Sequence, residues 1–148
     1  RLGLDTAGAD LIVRNRALHR MLVDGVTVEF RDAEGSIRGA QAQVIAFADP
    51  AGNDWLAVNQ FSVVQNKHSR RPDVVLFVNG IPLGVMECKR SDMKEPVAQA
   101  ISQHIRNQAA DYIPKLFVFS QLLLAVAANA FSASSPTSCP NRSLIDLK

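Results

Sequence analysis

"RRPDVVLFVNGIPLGVMECKR", residues 70–90, decides how this chain is read. Two apolar runs flank Asn79-Gly80, and an Asn-Gly pair between apolar runs is the strongest short signal for a β-hairpin. The first run opens on Asp73 and the second closes on Glu87 and Lys89. Pairing Val78 with Ile81 or with Pro82 puts Asp73 opposite Met86 or Glu87, and opposed residues of an antiparallel pair approach within about 5 Å. Glu87 and Lys89 are two apart, so they share a face with Val85, while Met86 and Cys88 take the other. That second face is expected to be apolar and core-facing, with Cys88 a small buried hydrophobe. Two carboxylates and an ammonium thus converge at the open end of an apolar hairpin.

Adjacent carboxylates repel, and one keeps its proton unless a cation lies between them. Mg²⁺ resolves the conflict: it takes one or two carboxylates, retains waters and accepts phosphate oxygens. It also polarises a phosphoryl group and acidifies a bound water, and a neighbouring lysine can stabilise the developing charge. The same residues also fit a solvated cross-strand ion-pair set with Asp73 capping a turn. Three features favour the chemical reading. The Glu-Lys pair ends an apolar strand, Asp73 directly follows Pro72, and the basic residues Lys67, His68, Arg70, Arg71 and Arg90 lie alongside.

Outward from the hairpin, residues 11–25 space Leu11, Ala17, Leu18, Met21 and Leu22 as a helix between Asp10 and Gly25. Residues 26–30 and 37–47 read as strands around a turn at 32–36, residues 49–54 as a loop, 55–65 as a strand with Trp55 in the core, and 66–72 as a basic loop. Val97, Ala100, Ile101 and Ile105 mark a helical face between Pro96 and Pro114. Residues 115–128 read as one buried strand or two short ones. The domain is expected to span 1–128, with a Ser/Pro-rich, flexible tail over 129–148. Helix, strands, helix, strand make an α/β or α+β domain.

The 148 residues carry 16 basic and 14 acidic side chains, so DNA binding would rest on local clusters, not bulk charge. Cys88 and Cys139 suggest neither a disulfide framework nor a zinc site, and a reducing cytoplasm is the expectation. His19, His68 and His104 lack ligand spacing. The most apolar stretch, 116–131, is interrupted by Ser120 and Gln121 and falls short of a membrane span.

"RPD", thirteen residues, then "ECK" resembles the PD-(D/E)xK nuclease motif. The wider run from Asn53 to Arg90, with "RNRALHRMLVDGVTVEF" before it and "QHIRNQAADYIPKLFVFSQLLLAV" after it, resembles the N-terminal nuclease region of the restriction (R) subunit of type I restriction enzymes. The resemblance implies a restriction-endonuclease-like mixed sheet flanked by helices and Mg²⁺-dependent cutting of double-stranded DNA. By motif match, Asp73 and Glu87 would be the metal ligands and Lys89 the catalytic lysine. A Gln-x-x-x-Tyr element of the family has two candidates. Gln103 has Asn107 in the Tyr position; Gln108 is followed by Tyr112. Gln103, set mid-helix, is preferred. Lys67, Arg70, Arg71 and Arg90 are the DNA-contact candidates.

The resemblance also implies partner modification and specificity subunits and, in full-length R subunits, an ATP-driven motor. The phosphate-cradling G-x-x-x-x-G-K-[ST] loop of such a motor is missing here, so this chain is expected to bind no ATP and to be incomplete relative to the family. The first helix offers Asn15 and no Glu where the superfamily often has an acid, and Cys88 replaces the family's Leu. The competing expectation is a truncated, inert fragment that only binds DNA or partner subunits.

Overall fold

In a computed structural model, residues 10–128 and 130–136 are described. Helix α1 (Leu11–Asp24) leads into the hairpin β1 (Val26–Arg31) and β2 (Ile37–Ala42). A 3-10 turn at Pro50–Gly52 precedes β3 (Trp55–Asn59), followed by the short hairpin β4 (Val63–Gln65) and β5 (His68–Arg70). Then come β6 (Val74–Val78), β7 (Ile81–Lys89), α2 (Pro96–Gln108), α3 (Pro114–Phe119), β8 (Leu122–Ala127) and β9 (Ala130–Ser134). The central sheet has the order β3-β6-β7-β8-β9, antiparallel except for β7 and β8. Parallel neighbours need a crossover, and α2 and α3 provide it. The result is a mixed sheet with flanking helices, consistent with a restriction-endonuclease-like fold.

Asn79 and Gly80 both have positive φ, as a two-residue I′ hairpin turn requires. Asn79 fixes the turn further by donating to the carbonyl of Val44 at 2.8 Å and accepting from the Asp54 amide at 2.8 Å. Both sequence registers occur. Val78 pairs with Ile81 and Phe77 with Pro82; beyond a bulge, Leu76 pairs with Gly84 and Val74 with Met86. Leu83 is the extra residue.

The helices cover one side of the sheet. Val75, Val85 and Leu123 pack with Ile113, Leu116 and Phe117 of the α2–α3 region; Ala125 and Ala127 pack with Val97 and Ala100 of α2; Leu18 and Leu22 of α1 meet Val78 and Val118. Gly25 ends α1 at φ +80°, where a Cβ would lie 2.8 Å from the Ala42 carbonyl oxygen. A groove of about 520 Å³ that includes Phe47, Trp55, Leu56, Leu76 and Leu122 lies along β3, β6 and the start of β8.

Several sequence expectations change. Residues 114–119 form α3, not a strand: Pro114 suits the first helical turn, and Asn15 of α1 satisfies the far end. The Asn15 Nδ2 donates to the carbonyls of Phe117, Val118 and Ser120 at 3.1, 3.0 and 2.7 Å, so a buried amide replaces a cap in sequence. Trp55 is 62% exposed, not core, with its indole N–H on the Pro50 carbonyl. The strand expected over 55–65 breaks at Gln60, whose φ is +54°. The basic loop 66–72 begins with the turn and second strand of a hairpin, because Asn66 and Lys67 both adopt positive φ. The strand expected over 37–47 stops at Ala42. In α2 the buried positions are Val97, Ala100, His104 and Asn107, and Ile105 faces solvent. Part of the stretch expected to be a tail, Ala130–Ser134, pairs with β8; residues 137–148 lie outside those described. Among the described residues, no helix is long and apolar enough to cross a membrane.

Candidate active site

The bulge at Leu83 continues the ladder so that Asp73, one residue before β6, comes level with Glu87. The Cys88 amide donates to Asp73 Oδ2 at 2.7 Å. Gln60 holds Asp73 from the other side: its side-chain amide donates to Oδ1 at 3.1 Å and its backbone N–H to the Asp73 carbonyl at 2.9 Å. Gln60 has no signal in the sequence, where it falls inside the strand expected over 55–65.

Glu87 lies under α2 with 1% of its surface exposed. Gln103 Nε2 donates to Glu87 Oε2 at 2.6 Å, and Lys89 Nζ donates to Gln103 Oε1 at 2.6 Å. One amide therefore links the acid and the lysine. Gln108 does not enter this cluster: its amide donates to the His104 carbonyl of its own helix. Tyr112 instead packs against His68 and Arg70.

Burial pushes the Glu87 carboxyl up to about 7 from 4.5, and the charge of Asp73 pushes the same way. Lys89 and Arg106 oppose the shift without cancelling it. Glu87 Oε1 is buried with no hydrogen-bond partner. The side-chain alternation of β7 matches the sequence reading, but the faces are exchanged. Glu87 points to the helix-covered side, and Cys88 is exposed, not core. Partial desolvation and the neighbouring carboxylates Asp73 and Glu87 raise the Cys88 thiol, so it is a poor nucleophile.

The donor set fits a hard divalent cation. Two carboxylates face each other, one with an unpartnered buried oxygen and a raised proton affinity that a cation would relieve. Among the described residues, no group of three or more His, Cys, Asp or Glu side chains is placed to hold a metal ion. A metal with only two protein carboxylates and several waters suits Mg²⁺ better than zinc, which prefers a closed set of nitrogen and sulfur ligands.

The basic residues differ in their freedom. Lys67 sits at the turn of the β4–β5 hairpin, and Arg71 is exposed. The Arg70 guanidinium lies 4.8 Å from the Tyr112 ring centre. Arg90 is engaged by Asp92, with Nε 3.1 Å from Oδ1. His104 is buried, its Nε2 3.0 Å from the Leu124 carbonyl, and burial lowers its pKa.

The family described as the type I restriction enzyme R protein N terminus matches residues 4–137, a span that includes β9. A putative type I restriction enzyme MjaIXP endonuclease subunit of Methanocaldococcus jannaschii is 32% identical over 132 residues, covering 87% of this chain and 12% of that protein. The type I restriction enzyme HindI endonuclease subunit of Haemophilus influenzae is 36% identical over 118 residues, covering 78% of this chain and 11% of that protein. The chain thus spans about a tenth of the length of these relatives. With the match running through every described element from α1 to β9, the chain belongs to the type I restriction enzyme R protein N-terminal family.

Proposed function

We propose that this chain is a Mg²⁺-dependent endonuclease domain of a type I restriction R subunit and hydrolyses phosphodiester bonds of double-stranded DNA. The observation that carries the reading is the Gln103 amide bridging Glu87 and Lys89 beside Asp73. Asp73 and Glu87 would hold the ion. When bound, Mg²⁺ supplies Lewis-acid polarisation of the phosphate and a more acidic water. Glu87 must give up its proton for that role. Lys89, fixed at Gln103, places a positive charge where negative charge develops on the phosphate oxygens. Gln103 orients both partners. The Gln60 side chain and the Cys88 amide hold the Asp73 carboxylate.

Lys67, Arg70, Arg71 and Arg90 would contact phosphates. Such contacts position a protein on DNA but carry no direct sequence information. Choice of the DNA site is assigned to modification and specificity subunits, ATP use to other parts of the R subunit, and the setting to the cytoplasm.

The test is Mg²⁺-dependent nicking of supercoiled plasmid by the wild-type chain, Asp73→Ala and Lys89→Ala, repeated in the assembled restriction enzyme. Cleavage by the wild type and its loss in both variants, with subunit assembly intact, is the expected result. Undiminished cleavage by Lys89→Ala refutes the assignment. Full activity of the assembled enzyme with no cleavage by the isolated chain identifies a domain that works only within the complex.

A further inference from the structure

Residues 60–72 contain Lys67, His68, Arg70 and Arg71 and no acid. The β4–β5 ribbon within this stretch pairs three residues per strand, too little to be stable alone in water. Contacts with the α2–α3 connection pin it. Asn66 Nδ2 donates to the carbonyls of Ala110 and Tyr112 at 2.7 and 3.4 Å. The Lys115 amide donates to Gln65 Oε1 at 3.0 Å. The Tyr112 ring stacks with His68 at a centroid distance of 4.8 Å and an interplanar angle of 12°, and the Arg70 guanidinium lies 4.8 Å from the same ring. Arg70 lies three residues before Asp73, at most about 11 Å along the chain.

We propose that the β4–β5 hairpin is a preformed clamp for the phosphate backbone of duplex DNA, in which Tyr112 is a positioning residue that holds Arg70 beside the Asp73–Glu87 site. The proposal rests on the nuclease reading for its choice of ligand. A guanidinium stacked on an aromatic face loses rotational freedom yet keeps in-plane N–H donors for a phosphate. One N–H of Arg70 goes to the Ser69 carbonyl at 2.9 Å, which fixes the plane further. Lys67, at a turn with φ +65°, presents a second cation at the end of the ribbon. Arg70 held on the strand leading to Asp73, with Lys67 at the turn before it, would set where the duplex lies before any metal binds. Because the contacts are to phosphates, the clamp would not read sequence.

The test is binding of a fluorescently labelled duplex by anisotropy, without divalent metal, across a range of salt concentrations. Arg70→Ala should weaken binding about tenfold and reduce the slope of log affinity against log salt by about 1. Tyr112→Ala should do the same, Tyr112→Phe should bind like wild type, and the Tyr112→Ala/Arg70→Ala pair should be no weaker than either single variant. If Tyr112→Ala fails to fold by circular dichroism, Arg70→Lys takes its place. It keeps the charge but loses the planar stack, and should lose affinity while retaining the slope. Wild-type affinity and slope in both Arg70→Ala and Tyr112→Ala overturn the proposal, as do additive effects in the pair. Nicking assays on the same proteins separate the two readings. Asp73-dependent cleavage with unaffected hairpin variants rejects the clamp and keeps the nuclease. The expected binding pattern with no Asp73-dependent cleavage, even in the assembled enzyme, keeps the clamp and rejects the nuclease.

Discussion

Replacing Glu87 with Gln should stabilise the chain above neutral pH. The Glu87 carboxyl is raised from 4.5 to about 7, chiefly by burial. At roughly 1.4 kcal/mol per tenfold change in proton affinity, ionising it inside the fold costs about 3 kcal/mol. The native state holds the proton more tightly than the unfolded chain, so stability falls as pH rises from 4.5 to about 7 and levels off above that. Glu87→Gln keeps the size and an oxygen acceptor for Gln103 but has no charge to bury. The variant should match wild type near pH 4.5 and exceed it by about 3 kcal/mol at pH 8, worth roughly 6–12 °C in melting temperature for a chain of this size. The assay is urea unfolding of both proteins from pH 4.5 to 8. His104 contributes with the opposite sign: its lowered pKa gives stability that is full above 6.5 and declines as pH falls below it. That contribution is common to both proteins and cancels in their difference. Mg²⁺ at pH 8 should stabilise wild type more than the variant. Parallel pH profiles of the two proteins would refute the reasoning.

Gln103→Ala removes both 2.6 Å contacts of the bridge and should lower metal-dependent cleavage about 10- to 100-fold, with weaker Mn²⁺ binding by calorimetry; equal Mn²⁺ affinity would show that the amide does not organise the site. Asn15→Ala strips the buried donor from three carbonyls at the end of α3 and should cost about 2–4 kcal/mol in urea unfolding, whereas a loss within 0.5 kcal/mol of zero would mean that water replaces the amide.

The hairpin and its charged end were legible because two local rules decide them. Asn-Gly dictates the turn, and strand alternation dictates which side chains travel together. Alternation does not say which face the rest of the protein covers. Composition makes the Met86 and Cys88 face of β7 the expected core side, and the reverse holds: Glu87 is buried beneath α2 and Cys88 is exposed. Trp55 went the same way, since an aromatic residue opening a strand carries no information about the layer above it. The helix α3 was hidden because six residues are too few to show a 3.6-residue period, and its far cap comes from Asn15, more than 100 positions earlier. Gln103 stood out through its place in α2, but its link to both Glu87 and Lys89 depends on how α2 lies against β7. Gln60 gave no sign, because its contact with Asp73 follows from a left-handed backbone at a strand break.

The bulge at Leu83 bears on how such sites can be found in other sequences. A two-residue turn with arms of equal length leaves an even number of residues between the positions facing each other at the hairpin's open end. Here thirteen residues separate Asp73 from Glu87, an odd number, and one arm is longer by the residue that the bulge absorbs. The parity of the interval is therefore a written trace of a backbone irregularity. With an uninterrupted ladder the same letters would set Asp73 against Met86 and leave Glu87 on the other side of the sheet. A search that fixes the interval would miss an equivalent site lacking the bulge, where the two acids face each other one residue closer in sequence. Removing Leu83 should therefore leave the pair aligned, on a ladder with no bulge and twelve residues between the two acids.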